Sequence, residues 1–163
     1  MSLTWPEHIL SIASSAKISD HYFGLYNTLI FLWFDPYGSD DVILTPEKHE
    51  YHSIYFVVYT KKYRPLLMMN VENNVSSQGR IKADAQMRQK YDTLLTKCPL
   101  PRLWGFSFVG TWLRVYCGDV TTGNVTPPSE DNLEQAWNID LLSSEGFAKV
   151  NEIIKVVRDD AGL

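Results

Sequence analysis

Cysteine is scarce in this chain: Cys98 and Cys117 are its only two in 163 residues, and neither stands in a CxxC spacing. No disulfide framework or thiolate metal cage is expected, and reduced thiols point to a cytoplasmic or nuclear protein rather than a secreted one. In that setting the sequons at Asn74 and Asn124 carry no meaning. No apolar run approaches the roughly 18 residues a membrane span needs, so no membrane partner is expected. The opening MSLTWPEHIL lacks a basic n-region, so no signal peptide is read there. GxSxG, P-loop and HExxH patterns are missing. All four histidines lie at or before His52, which leaves Cys98 without a sequence-near base. Both cysteines read as small buried hydrophobes.

What the chain does have is apolar residues at 45% and aromatics at 13%, enough for a packed core in one domain spanning 1–163. The net charge of −4 opposes indiscriminate nucleic-acid binding. Its distribution is uneven, however. Residues 61–102 hold nine Lys/Arg against three acids, while the rest holds six against sixteen. The simplest account is a solvated helix face with pairs such as Arg80–Asp84–Arg88. The sharper one is a phosphate-facing patch built from Lys61, Lys62, Arg80, Lys82 and Arg88.

The chain is organised around one stretch. SIYFVVYT (Ser53–Thr60) and PLLMMNVE (Pro65–Glu72), joined by the basic turn KKYR, read as a β-hairpin. The linker NNVSSQG supplies serines to cap a helix over 80–95. Upstream, 5–16 is a short amphipathic segment with Ile9, Leu10 and Ala13 on one side. A nearly buried helix follows from Ser19–Asp20 to Phe34, ended by Pro36. VILT (42–45) is a short strand and PEKHEY a connection. Downstream, 103–110 and 112–119 are strands, the second alternating Trp112, Arg114 and Tyr116 with Leu113, Val115 and Cys117. TPPSEDNLEQ reads as a surface loop, Trp137 and Ile139 as anchors, and a last helix starts at Ser143 or Ser144. Strands sandwiched by helices from both ends of the chain predict an α/β three-layer domain with a mixed sheet of about 4–5 strands.

Glu47, His49, Glu50 and His52 are the densest group of metal-capable side chains, yet no helix is convincing there and they read as loop polar residues. Asn70 and Glu72 alternate on a strand and so share a face. Tyr91, Trp104, Trp112 and Tyr116 have the chemistry to stack on bases, although packing accounts for them more simply.

The segments DHYFGLYNTLI, PLLMMNVENN, ADAQMRQKYDTLL, CPLPRLWGFSFVGTWLRVYCGD and WNIDLLSSEGF, most specifically residues 86–119, resemble a family of uncharacterised basidiomycete (mushroom) proteins. That family looks like a variant of the restriction-endonuclease-like PD-(D/E)XK superfamily. The resemblance implies a three-layer restriction-endonuclease-like core. It also implies a site with an Asp opening the second strand and Glu-x-Lys in the third, after a Pro-led apolar run. Counted from Pro65, the Glu position falls on Asn70 and the Lys position on Glu72; the Asp falls near Tyr51, with Glu50 beside it. All three identities are changed, while the helix with Ala85, Gln86, Met87 and Arg88 is kept.

Magnesium requires hard anionic oxygens, and a lysine stabilises the charge developing on phosphorus. The altered triplet therefore implies a catalytically degenerate nuclease-like domain with a binding or interaction role toward nucleic acid, with no cofactor. The enzymatic alternative is a Mg2+- or Mn2+-dependent nuclease whose metal sits on a migrated pair, Glu50 and Glu72, with Arg80 or Lys82 replacing the lysine. A third reading is a structural protein that oligomerises, as a homodimer, through a sheet edge.

Overall fold

The computed structural model describes residues 4–16, 19–49 and 53–163. Its elements run α1 (Glu7–Ser15), α2 (Ser19–Trp33), β1 (Val42–His49), β2 (Ser53–Thr60), β3 (Pro65–Glu72), α3 (Ser77–Leu94), β4 (Arg102–Val109), β5 (Trp112–Asp119), β6 (Val125–Thr126), β7 (Ile139–Asp140) and α4 (Ser144–Ala161). Among the described residues the result is mixed α/β with four helices and one open mixed sheet of seven strands, five long and two short. The expected 4–5 strands are the long ones; the two short strands were hidden in stretches too brief to show alternation.

The chain meanders antiparallel through β1, β2 and β3, then crosses over by α3 to a parallel β4. β5 returns antiparallel, and its outer edge pairs with β6 at one end and β7 at the other. β3 is buried along its whole length, as its nearly unbroken apolar run requires of a central strand. β1 is longer than VILT alone. It continues through Pro46 to His49, and the proline is tolerated because β1 is the outermost strand and needs no ladder bond on its free side.

One sheet face is apolar. Phe23 stacks on Phe56, Tyr26 meets Phe108 and Trp33 meets Phe106, so α2 lies against this face with α1 and α4. Leu25, Leu29 and Ile30 are buried there, but Phe31 and Leu32 are exposed, so α2 is not buried all round. Leu10 of α1 is also exposed, while Ile9 and Ala13 are buried. α4 is tied down by Arg158, whose guanidinium grips the Asp40 carboxylate (2.5 and 3.0 Å) and donates to the Trp33 carbonyl at 2.9 Å.

The other face carries α3, with Leu133 and Trp137 packed beside it. The Ser76 hydroxyl caps this helix by accepting the Gly79 N–H, so it starts three residues before the expected Arg80. It packs close because glycines stand beneath it: a Cβ on Gly105 would fall 2.6 Å from Met87 Cε, and one on Gly118 would fall 2.7 Å from the Tyr91 ring. Cys98 is buried and Cys117 half-buried, and burial raises both thiol pKa values. Among the described residues no helix is long and apolar enough to cross a membrane.

Candidate functional site

The α3-facing side of the sheet should be as apolar as its opposite, but one row is not. Cross-strand register aligns Tyr55 with Asn70, Asn70 with Ser107, and Ser107 with Arg114, so four polar side chains cross β2, β3, β4 and β5 in line. All four are buried, Arg114 with 4% of its side chain exposed. Strand alternation makes this possible, since the neighbours of each residue in its own strand turn to the other face.

At the β5 end, the row meets Asp84 of α3. Its Oδ1 accepts the Tyr116 hydroxyl at 2.7 Å and lies 3.5 Å from Arg114 Nη1; its Oδ2 accepts Arg88 Nε at 2.9 Å. Arg88 also donates to the Pro127 carbonyl, and Arg114 Nη2 lies 3.6 Å from Glu130. The Arg114 guanidinium stands over the Tyr116 and Trp137 rings at 5.1 and 5.4 Å, and Trp137 donates to Ser107 Oγ. Two arginines and two carboxylates thus roughly neutralise one another under cover of aromatic rings. Burial, reinforced by the Asp84 hydrogen bond, pushes the Tyr116 hydroxyl far above its ordinary pKa.

This corrects one reading of the sequence. The Arg80–Asp84–Arg88 spacing is not a solvated stripe: Asp84 points inward and is buried. Arg114 and Tyr116 likewise lie under α3, whereas Trp112 at the strand start is exposed. The expected surface loop 126–135 supplies Glu130 and the buried Leu133. Tyr91 is core as well, donating to the Leu103 carbonyl.

At the β3 end, Asn70 and Glu72 do share a face. Asn70 Nδ2 donates to Gln86 Oε1 at 3.3 Å, and Gln86 in turn reaches Ser53. Glu72 has no exposed side-chain surface: Oε1 accepts the Asn74 N–H at 2.9 Å, and Oε2 lies 3.7 Å from Lys82 Nζ. Burial holds the Tyr55 hydroxyl far above its ordinary pKa, with the Asn70 hydrogen bond opposing, so it is a poor nucleophile at neutral pH. Beside them opens a groove of about 550 Å3 lined by Tyr55, Lys82, Gln86, Gln89, Lys90 and Thr93. Lys90 spans it, 5.2 Å over the Tyr55 ring and 2.5 Å from Glu47.

Glu50, Tyr51 and His52 lie outside the described residues, so the proposed Glu50–Glu72 metal pair has only Glu72 placed. Among the described residues no group of three or more metal-capable side chains converges. The expected basic residues do not form one patch. Arg80 and Lys82 stand on the first turns of α3, Lys82 3.7 Å from Glu72, and Arg88 is turned inward to Asp84. Lys61 and Lys62 sit in the β2–β3 turn, beyond the opposite end of β3, roughly 23 Å away for an eight-residue strand.

Compared with protein-family models, curated proteins and solved structures, the chain finds no match in any of the three.

Proposed function

We propose that this chain is a nuclease-like α/β domain that has lost its metal chemistry and serves as a binding module, with nucleic acid as the ligand class. The observation that carries the reading is Glu72. The only placed carboxylate at the expected metal positions is wholly buried, with one oxygen on a backbone N–H and the other facing an ammonium. A carboxylate neutralised from within has little to offer a dication that must first be dehydrated. Asn70 donates its amide N–H to Gln86, and its oxygen is a neutral and wholly buried ligand atom. The resemblance to a mushroom family of restriction-endonuclease-like descent is consistent with the βββαβ order and with a third strand that opens on Pro65 and ends on Glu72. The exposed cations of the β2–β3 turn, Lys61, Lys62 and Arg64, favour a phosphate-bearing ligand.

One observation favours the enzymatic alternative: Lys82 stands beside Glu72, where a displaced catalytic lysine would need to be. A nuclease assay on single- and double-stranded DNA and RNA, with Mg2+ or Mn2+, decides between them. No cleavage is expected on any substrate. Cleavage abolished both by EDTA and by Glu72→Ala would overturn the degenerate reading and assign Glu72 to a working metal site.

A further inference from the structure

We infer that the tip of the β2–β3 hairpin is a binding point for single-stranded nucleic acid, in which Tyr63 stacks on an unpaired base while Lys61 and Lys62 hold the flanking phosphates. This rests on the nucleic-acid reading above and places its contact away from the α3 groove.

The tip is closed by hydrogen bonds and presents its side chains outward. Thr60 organises it: its N–H donates to the Arg64 carbonyl, its carbonyl accepts the Tyr63 N–H, and its hydroxyl oxygen accepts from Lys62 and Arg64. With the backbone groups so engaged, the side chains of residues 61–64 are all exposed. Tyr63 is the only non-glycine with positive φ among the described residues, at 55°. A bulky residue in the left-handed region is uncommon and unfavourable. A turn of this shape would be served better by Gly or Asn. The ring is 68% exposed and stands 6.2 Å from the half-buried Tyr59 ring, tilted by 54°. The ring thus stands beside one aromatic neighbour with most of its surface open to solvent.

The charge around it is positive. Lys61, Lys62 and Arg64 stand in the same turn, and Arg64 Nε donates to the Lys97 carbonyl. Two acids offset them in part: Asp41, 3.8 Å from Lys61, and Asp160 across the adjoining hollow. Among the described residues Lys62 has no ion pair. The α3 cations differ, since Lys82, Arg88 and Lys90 each face a carboxylate. An exposed ring ringed by lysines is the combination that grips single strands, because every unpaired base offers a π-face and a duplex offers none along its length.

The test is fluorescence anisotropy of labelled dT12, rU12 and a 12-base-pair duplex at low salt, using the full chain. The single strands are expected to bind and the duplex to bind more weakly. Tyr63→Leu should weaken single-strand binding roughly tenfold, and Tyr63→Phe should restore it. Each of Lys61→Gln and Lys62→Gln should lower the slope of log K on log salt by about 0.7. Single-strand binding unchanged by Tyr63→Leu and by Lys62→Gln would overturn the tip while leaving nucleic-acid binding in place. No binding of any oligonucleotide would overturn both.

Discussion

Replacing Glu72 with glutamine separates a retired metal ligand from a working one. Glutamine keeps an acceptor for the Asn74 N–H and removes only the charge facing Lys82. Lys82 is one-third exposed and recovers hydration, so the loss should be about 1–2 kcal/mol. Glu72→Ala also orphans the Asn74 N–H and opens a void in a fully buried position, for a loss of about 3 kcal/mol. Both values come from urea unfolding. The discriminating arm is metal. A working site with a Kd of about 1 mM would stabilise the native state by about 1.4 kcal/mol in roughly 10 mM Mg2+. For a chain of this size that raises Tm by about 3–5 °C. The expected result is a shift below about 1 °C, equal in wild type and Glu72→Gln, since the carboxylate is already neutralised. A rise of about 3 °C in the wild type that Glu72→Gln abolishes would refute the reasoning, because only a metal held on Glu72 links the two.

Asp84→Ala removes the acceptor of Tyr116 and Arg88 and the counter-charge of the buried Arg114; the expected loss is about 3–5 kcal/mol by urea unfolding, against less than 1 kcal/mol for a solvated helix residue. The Asp40–Arg158 pair gives a pH signature. The Arg158 hydrogen bond holds the Asp40 carboxyl below its ordinary 3.8, so its stabilisation is complete above that value and is lost as pH falls through the lower folded pKa. Asp40→Asn should therefore cost about 2–3 kcal/mol at neutral pH, a deficit that shrinks below about pH 4 in melts across the acid range. Tyr63→Gly should raise stability by about 0.5–1 kcal/mol by relieving the positive φ while lowering oligonucleotide affinity, so chemical unfolding and anisotropy should move in opposite directions.

Much of the fold was legible because local patterns and tertiary demands coincide. The apolar runs on either side of KKYR became β2 and β3, and Asn70 and Glu72 face the same helix as strand alternation requires. The helices from the two chain ends do not sandwich the sheet as expected: they share one face, and the mid-chain α3 covers the other. The failures share a cause, which is that burial of polar residues is decided by neighbours far away in sequence. Asp84 at i,i+4 from both Arg80 and Arg88 looks solvated on any helical wheel. What draws it inward is Arg114 and Tyr116, some thirty residues later, and no local pattern carries that. The one available signal was in WLRVYCGD, where an arginine alternates with Tyr116 on a strand whose other face is apolar. Pro46 hid β1 similarly, since its place at the sheet edge is a tertiary fact.

The polar row from Tyr55 to Arg114 poses the sharper physical question. Buried polar chains seldom add stability over apolar side chains of the same volume, and a half-satisfied one is worse than either. This row takes its partners from outside the sheet, Gln86 and Asp84 from α3, Glu130 from the 126–135 loop and Trp137 beyond it, and still leaves Asn70 Oδ1 and Arg114 Nη1 without a hydrogen bond among the described residues. Such supports hold α3 in one position over β3 to β5, where Gly105 and Gly118 leave no slack. A helix held that closely covers Asn70 and Glu72 rather than exposing them to a substrate. Exposed chemistry stands at the hairpin tip, where Lys62 and Tyr63 face solvent and the turn is braced by Thr60. On this geometry the α3 face accounts for the shape of the domain, and the tip is where the proposed binding is to be tested.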